Sequence, residues 1–299
     1  MSLNINSKIA SCGGKLLKCT HDSVATKTAM NVNVYVPKQF YTAAKTSQKI
    51  PTLYFLSGLT CTPDNASEKA FWQLQADIYG FAVVFPDTSP RGDNVPGDPE
   101  NSWDFGKGAG FYVNATTGKY KENYNMYDYV HSELPQLLQK NKDIFEDKID
   151  FLENVSIAGH SMGGFGALSG FLKNLNKYKS CSAFAPIVNP SVVPWGTKAF
   201  GGYLGETSKS KWDEYDPCTL LKNTENPDNK YKIMIHVGTA DPFLEKQLKP
   251  QNIVAAAKGT TWENAIDLNI VDGFDHSYYF ISSFVPAHAE FHAKHLGLI

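Results

Sequence analysis

The sequence is short of charge, of paired cysteines and of long apolar runs, and each shortage excludes a class of protein. Only 19% of its 299 residues are charged, and 28 basic side chains nearly balance 30 acidic ones for a net charge of -2. A chain without a basic excess has no electrostatic reason to bind nucleic acid or an anionic membrane. The five cysteines are Cys12, Cys19, Cys61, Cys181 and Cys218, an odd number with no CxxC spacing. In a chain too large to be a disulfide scaffold they read as free thiols of a reducing, intracellular compartment. The densest apolar run, Phe81-Ala82-Val83-Val84-Phe85, is far too short to cross a bilayer. The N-terminal MSLNINSKIASCGG lacks the apolar stretch of a signal peptide, and Ser2 stands where myristoylation needs glycine. The terminal Leu-Gly-Leu-Ile is neither a peroxisomal nor a prenylation signal. A cytoplasmic protein is expected.

What is present is apolar and aromatic. Hydrophobic residues make up 42% and aromatics 13%, which excludes disorder and coiled coil. A chain of this length hides roughly 35,000 Å² on folding, so its core needs no metal or disulfide staple. Short β-rich runs at 31–36, 52–57, 81–85, 154–158, 181–185, 231–237 and 267–271 alternate with helical patterns at about 66–79, 125–140, 162–176, 245–258 and 279–295. Several of the strands are apolar on both faces, and a hairpin is expected around Gly13-Gly14. The alternation predicts an α/β fold with a mostly parallel sheet flanked by helices on both faces, in one domain spanning residues 1–299. Two stretches without clear periodicity, 86–124 and 188–230, are expected to wall a pocket above the sheet.

The strongest local signal is Gly159-His160-Ser161-Met162-Gly163-Gly164, between a buried strand and an apolar helix. G-x-S-x-G in that setting is a nucleophile elbow: a sharp strand-to-helix turn lifts the serine hydroxyl clear of the sheet. Ser161 is the expected nucleophile, and His160 is expected only to pack. A serine needs a histidine base and an acid to orient it, in the chain order Ser, acid, His. His276 sits in the loop after strand 267–271, where such a base belongs. Asp241 lies just past strand 231–237 and is preferred as the acid over Asp272 and Asp275. A side chain adjacent in sequence is badly placed to reach its neighbour's Nδ1. The oxyanion is expected on two backbone amides, that of Met162 after the nucleophile and that of Leu59 in the loop following strand 52–57. His288, His292 and His295 share one helical stripe, but HAEFHAKH is not a zinc motif, so they read as a solvated helix end.

Longer blocks carry a resemblance. Leu56-Ser57-Gly58-Leu59-Thr60-Cys61-Thr62, Pro86-Asp87-Thr88-Ser89-Pro90-Arg91-Gly92, Ser102-Trp103-Asp104-Phe105-Gly106, Pro194-Trp195-Gly196 and Asp275-His276-Ser277-Tyr278-Tyr279-Phe280 occur in order around the elbow. Together they resemble the S-formylglutathione hydrolase (esterase D) family of the α/β-hydrolase superfamily. One departure is that the family has Asp-Gln-Gly where this strand ends His236-Val237-Gly238.

The resemblance implies a serine thioesterase that splits S-formylglutathione into formate and glutathione in formaldehyde detoxification, with Ser161, Asp241 and His276 as the triad. It implies no cofactor and no metal, a small-molecule glutathione thioester as the only partner, and a homodimer. Formyl is the smallest acyl group, so Trp103, Phe111 and Trp195 are expected to crowd the acyl pocket. Cys61, two residues past Leu59, is expected to confer sensitivity to thiol reagents. Lys107 and Lys198 are candidates for glutathione's carboxylates, although each reads more simply as a surface lysine. The competing readings are a general short-chain carboxylesterase and, more remotely, a non-catalytic binding protein of the same fold.

Overall fold

The computed structural model describes residues 2–42 and 48–299. Nine strands form one sheet: β1 Asn4–Ser11, β2 Gly14–Asp22, β3 Ala29–Val36, β4 Thr52–Leu56, β5 Ala82–Pro86, β6 Val155–His160, β7 Tyr178–Phe184, β8 Ile233–Gly238 and β9 Ile266–Val271. Their order across the sheet is β1-β2-β3-β5-β4-β6-β7-β8-β9. The first three strands run antiparallel to one another and β3 runs antiparallel to β5. From β5 through β4 to β9 every pairing is parallel.

This is the expected α/β arrangement, and the strand sequences explain it. Every residue of β4, β5 and β6 is buried. Strands buried on both faces must be covered by helices on both sides, which is what parallel crossovers supply. The total exposed surface is 12082 Å², close to the roughly 12,500 Å² that mass scaling gives for a compact chain of this size.

The parallel topology decides where chemistry can occur. The carboxyl ends of β4, β6 and β8 all reach the same edge of the sheet, so the segments after them (the loop from Ser57, the elbow at Ser161 and the loop holding Asp241) share one crevice.

Several expected elements differ in detail. The helical stretch at 66–79 is two helices, Pro63–Lys69 and Trp72–Tyr79, broken where Phe71 adopts φ +60°. The stretch at 245–258 divides into a π-turn, Leu244–Leu248, and a helix, Gln251–Ala257, separated by Lys249 in the left-handed region and by Pro250. The second irregular excursion contains helices Pro194–Leu204 and Pro217–Asn223. Segment 86–124 is irregular apart from a 3-10 helix at Gly118–Glu122, and aromatic packing ties it down. Phe105 stacks on Tyr203 with ring centroids 4.5 Å apart, and Tyr124 stacks on the same ring at 5.1 Å.

Candidate active site

The elbow is strained where the motif requires it. Ser161 has φ +57° and ψ -119°, a conformation that costs a non-glycine residue of order 1–3 kcal/mol. The surroundings enforce it: the Ser161 N–H donates to the Phe184 carbonyl at 2.9 Å, and its carbonyl accepts from the Phe165 N–H at 3.0 Å. The two flanking glycines are steric necessities. A Cβ on Gly159 would collide with the Gly163 carbonyl, and one on Gly163 would collide with the Leu56 carbonyl. The helix Met162–Lys173 starts directly at the serine and aims its N-terminal amides at the crevice.

His276 Nδ1 lies 2.5 Å from Asp241 Oδ2. The Asp241 side chain is completely buried, and its other oxygen accepts from the Phe243 N–H at 2.8 Å. With Nδ1 donating to a carboxylate, the Nε2 lone pair of His276 is the one left for a proton. The two rival acids are committed elsewhere. Asp275 Oδ1 accepts from the Ser277 N–H and hydroxyl at 3.0 and 2.6 Å, at the start of the C-terminal helix Tyr278–His295. Asp272 accepts from the Thr239 hydroxyl at 2.9 Å.

Ser161 and His276 line a single cavity of about 230 Å³ together with Gly58, Leu59 and Cys61. Larger depressions of about 470 and 580 Å³ lie elsewhere on the surface, and neither contains Ser161 or His276. Among the described residues, neither the Leu59 nor the Met162 N–H is taken up by a carbonyl or side chain. Both amides are thus available to an incoming oxygen.

Aromatic side chains close the cavity. Trp195 is nearly buried and packs against Phe243 at 4.7 Å, while Trp103 meets Trp195 edge-on at 5.5 Å. Trp103 is 53% exposed, so it forms the rim rather than the wall. Phe111 does not belong to the site. It is fully buried against Phe165 of the elbow helix, ring centroids 6.2 Å apart, and does not line the cavity. Its position on an irregular segment suggested a pocket role, but that segment dips into the core at this point.

Three further cavity residues were not singled out from the sequence as site residues. His160, Phe243 and Tyr278 all line it. The His160 ring lies 4.5 Å from that of His276. Burial, followed by the neighbouring His276, pushes the His160 pKa well below the usual histidine value, so it is neutral. Tyr278 adjoins the histidine motif, which was the one available signal for it. The Tyr278 hydroxyl lies 3.8 Å from Cys61 Sγ. Burial raises the Cys61 thiol above its ordinary pKa despite that contact, so the resting group is a neutral thiol facing the cavity.

The histidines of the C-terminal helix overturn an expectation. His288 and His292 are completely buried rather than solvated. His292 bonds Ser180 and Ser182, each at 2.8 Å, and His288 bonds Ser182 at 2.8 Å and His236 Nδ1 at 3.0 Å. Among the described residues no group of three or more histidine, cysteine, aspartate or glutamate side chains is arranged to hold a metal. Lys198 is not a free cation for a substrate carboxylate, because its ammonium already pairs with Asp98 at 2.8 Å and Asp104 at 2.5 Å. Lys107 is exposed.

Sheet order, elbow and cavity together make this a serine hydrolase on the α/β-hydrolase fold. The Esterase family model matches residues 23–291. An S-formylglutathione hydrolase of Saccharomyces cerevisiae is 61% identical over 295 residues, covering 96% of this chain and 97% of that protein. The chain belongs to the S-formylglutathione hydrolase family. A Bos taurus S-formylglutathione hydrolase is 47% identical over 288 residues, 96% of each chain. The solved structure of an S-formylglutathione hydrolase from Agrobacterium tumefaciens superimposes with a TM-score of 0.88 at 42% identity, covering 98% of this chain and 100% of that one.

Proposed function

We propose that this chain hydrolyses S-formylglutathione to formate and glutathione, with Ser161 as nucleophile, His276 as general base and Asp241 as the acid that orients it. His276 Nε2 takes the Ser161 proton as Oγ attacks the formyl carbon. The resulting oxyanion rests on the Leu59 and Met162 amides. The C–S bond breaks, and glutathione departs as a thiolate whose ordinary pKa of about 8.5 makes it a good leaving group. The imidazolium then returns the proton to that sulfur. Water, deprotonated by His276, attacks the formyl ester, and formate leaves as Ser161 recovers its proton. The observation that carries the chemistry is the 2.5 Å His276–Asp241 contact beside a serine held at φ +57°. The names and identities of the relatives support the thioester as substrate.

The same reading assigns the acyl side to Trp103 and Trp195 and thiol sensitivity to Cys61, whose Sγ faces the cavity. It treats residues 1–299 as one domain and the enzyme as a cytoplasmic homodimer needing no cofactor. Among the described residues no helix is long and apolar enough to cross a membrane. The test is kcat/KM for S-formylglutathione against small aryl acetates, run on the wild type and Cys61→Ser. The thioester should be preferred, and thiol reagents should inhibit the wild type but spare the variant. A preference for the oxygen esters would replace this reading with that of a general carboxylesterase, and persistent inhibition of the variant would remove Cys61 from it.

A further inference from the structure

The turn that presents the Leu59 amide does not hold itself in place. Residues 58–61 close through the Cys61 N–H, which donates to the Gly58 carbonyl at a long 3.3 Å, and Thr60 sits at φ +67°. A non-glycine residue in that region costs free energy, so the conformation persists only when its surroundings over-determine it. The bonds that do so come from outside the turn. The Tyr112 hydroxyl donates to the Ser57 carbonyl at 2.8 Å, and the Thr60 N–H donates to the Gly108 carbonyl at 2.8 Å. The Cys61 carbonyl accepts from both the Thr88 hydroxyl at 2.5 Å and Arg91 Nη2 at 3.0 Å.

Asp87 in turn aims that guanidinium. Arg91 Nε lies 2.9 and 3.0 Å from the two Asp87 oxygens, and Nη2 lies 2.9 Å from one of them. The Asp87 side chain is only 2% exposed and also accepts from the Thr88 N–H at 2.7 Å. All three residues follow β5, the strand beside β4, so the sheet itself fixes the distance between this clamp and the turn. None of the three lines the cavity.

We infer that Thr88 and Arg91, aimed by Asp87, are positioning residues that fix the direction of the Leu59 N–H by holding the Cys61 carbonyl. This rests on the reading that the Leu59 amide receives the oxyanion. An amide contributes to catalysis only while it points at the charge before the reaction begins; a turn free to swing must be reoriented at the barrier. Outright loss of one such donor lowers kcat by about 10²–10³, so a loosened donor should lose about tenfold. Formation and breakdown of the acyl-enzyme use the same amide and lose alike, which leaves KM in place.

The experiment compares the full chain with Thr88→Val, Thr88→Ser, Arg91→Lys and Ser161→Ala. Lysine keeps the charge of Arg91 but not the planar fork that meets two acceptors at once. Thr88→Val and Arg91→Lys should each lower kcat about tenfold, with KM within about twofold. Thr88→Ser, which keeps the hydroxyl, should recover most of the loss. Thermal unfolding is followed in parallel, so that if Thr88→Val fails to fold, Arg91→Lys still decides the matter. Unchanged kcat in the folded variants, or a change confined to KM, overturns the clamp while Ser161→Ala remains inactive. Turnover by Ser161→Ala instead overturns the underlying reading of the site.

Discussion

Two serine–histidine clusters lie along the same strand, and the one at Ser161 lines the site cavity. Ser156, near the start of β6, bonds Ser180 at 2.8 Å, and the chain continues through His292, Ser182 and His288 to His236. Ser161, directly after β6, shares a cavity with His276. A search for short serine–histidine contacts alone would select Ser182, which bonds two histidines. A hydroxyl has one proton and two lone pairs, so Ser182 can donate to at most one of the two rings and must accept from at least one, which couples the tautomers of His288 and His292. What the buried cluster lacks is what chemistry needs. Among the described residues neither His288 nor His292 bonds a carboxylate, its serines sit in ordinary strand, and both rings are completely buried on the C-terminal helix. A serine–histidine contact is therefore a structural element until an acid, an oxyanion site and access are added.

The sharpest way to break the comparison is to remove the serine from each cluster. Ser161→Ala should lower kcat by about 10⁶ with stability unchanged. Ser182→Ala should leave kcat within about twofold but cost about 1–3 kcal/mol in urea unfolding, because two buried rings each lose a partner. Loss of turnover in Ser182→Ala with the fold intact would make the clusters one machine. Next is the carboxylate that separates them. Asp241→Asn should lower kcat by about 10⁴ because the amide favours the wrong tautomer of His276. Asp275→Asn, which alters only a helix cap, should stay within a few fold; equal losses would reopen the choice of acid.

The smallest effect concerns pH. Burial lowers the pKa of His288 and of His292, the latter to about 3, and likewise that of His131 to about 3. Their folded values lie below the unfolded value of about 6.5, so below that pH the unfolded chain binds more protons than the folded one. The stabilisation is complete above about pH 6.5 and is lost as pH falls towards 3, by at most about 1.4 kcal/mol per pH unit for each ring. Urea unfolding at pH 7.5 and 5.0 should show this loss, and His292→Asn should show a shallower one. Parallel pH dependences would mean that His292 titrates alike in the folded and unfolded chains.

Much of this was legible in the chain. Strands such as 52–57 and 81–85 are short apolar runs bounded by turn residues, and the parallel order follows from their alternation with helices. Ser161, Asp241 and His276 could be singled out because an elbow and two post-strand loops have local signatures. The misreadings have a common origin. Helix Pro194–Leu204 is hidden by three glycines, yet Gly196 packs where a Cβ would strike the Pro190 backbone and Gly202 where one would strike the Phe105 ring. His288 and His292 occupy a stripe whose periodicity is the same whether it faces water or a sheet. Only Ser180 and Ser182 on β7, more than 100 positions away, settle which. Phe111 and Trp195 are both aromatics in stretches whose sequence shows no clear periodicity, although Trp195 lies in helix Pro194–Leu204, and no local pattern distinguishes a core ring from a cavity wall.

The sparse charge, unpaired cysteines and missing apolar spans are properties of composition; they exclude whole classes of protein but name no fold, and the α/β arrangement follows from the alternation of strand and helix patterns. The elbow, the order of the triad residues and the blocks shared with a family are likewise written in one dimension, because turns and caps depend on near neighbours. That His288 and His292 meet serines rather than water, that Phe111 lies in the core while Trp195 lines the cavity, and what holds the Leu59 amide in place were decided only by the tertiary structure. Those contacts join residues brought together by strand order, and their energies depend on burial, which no local stretch of sequence contains.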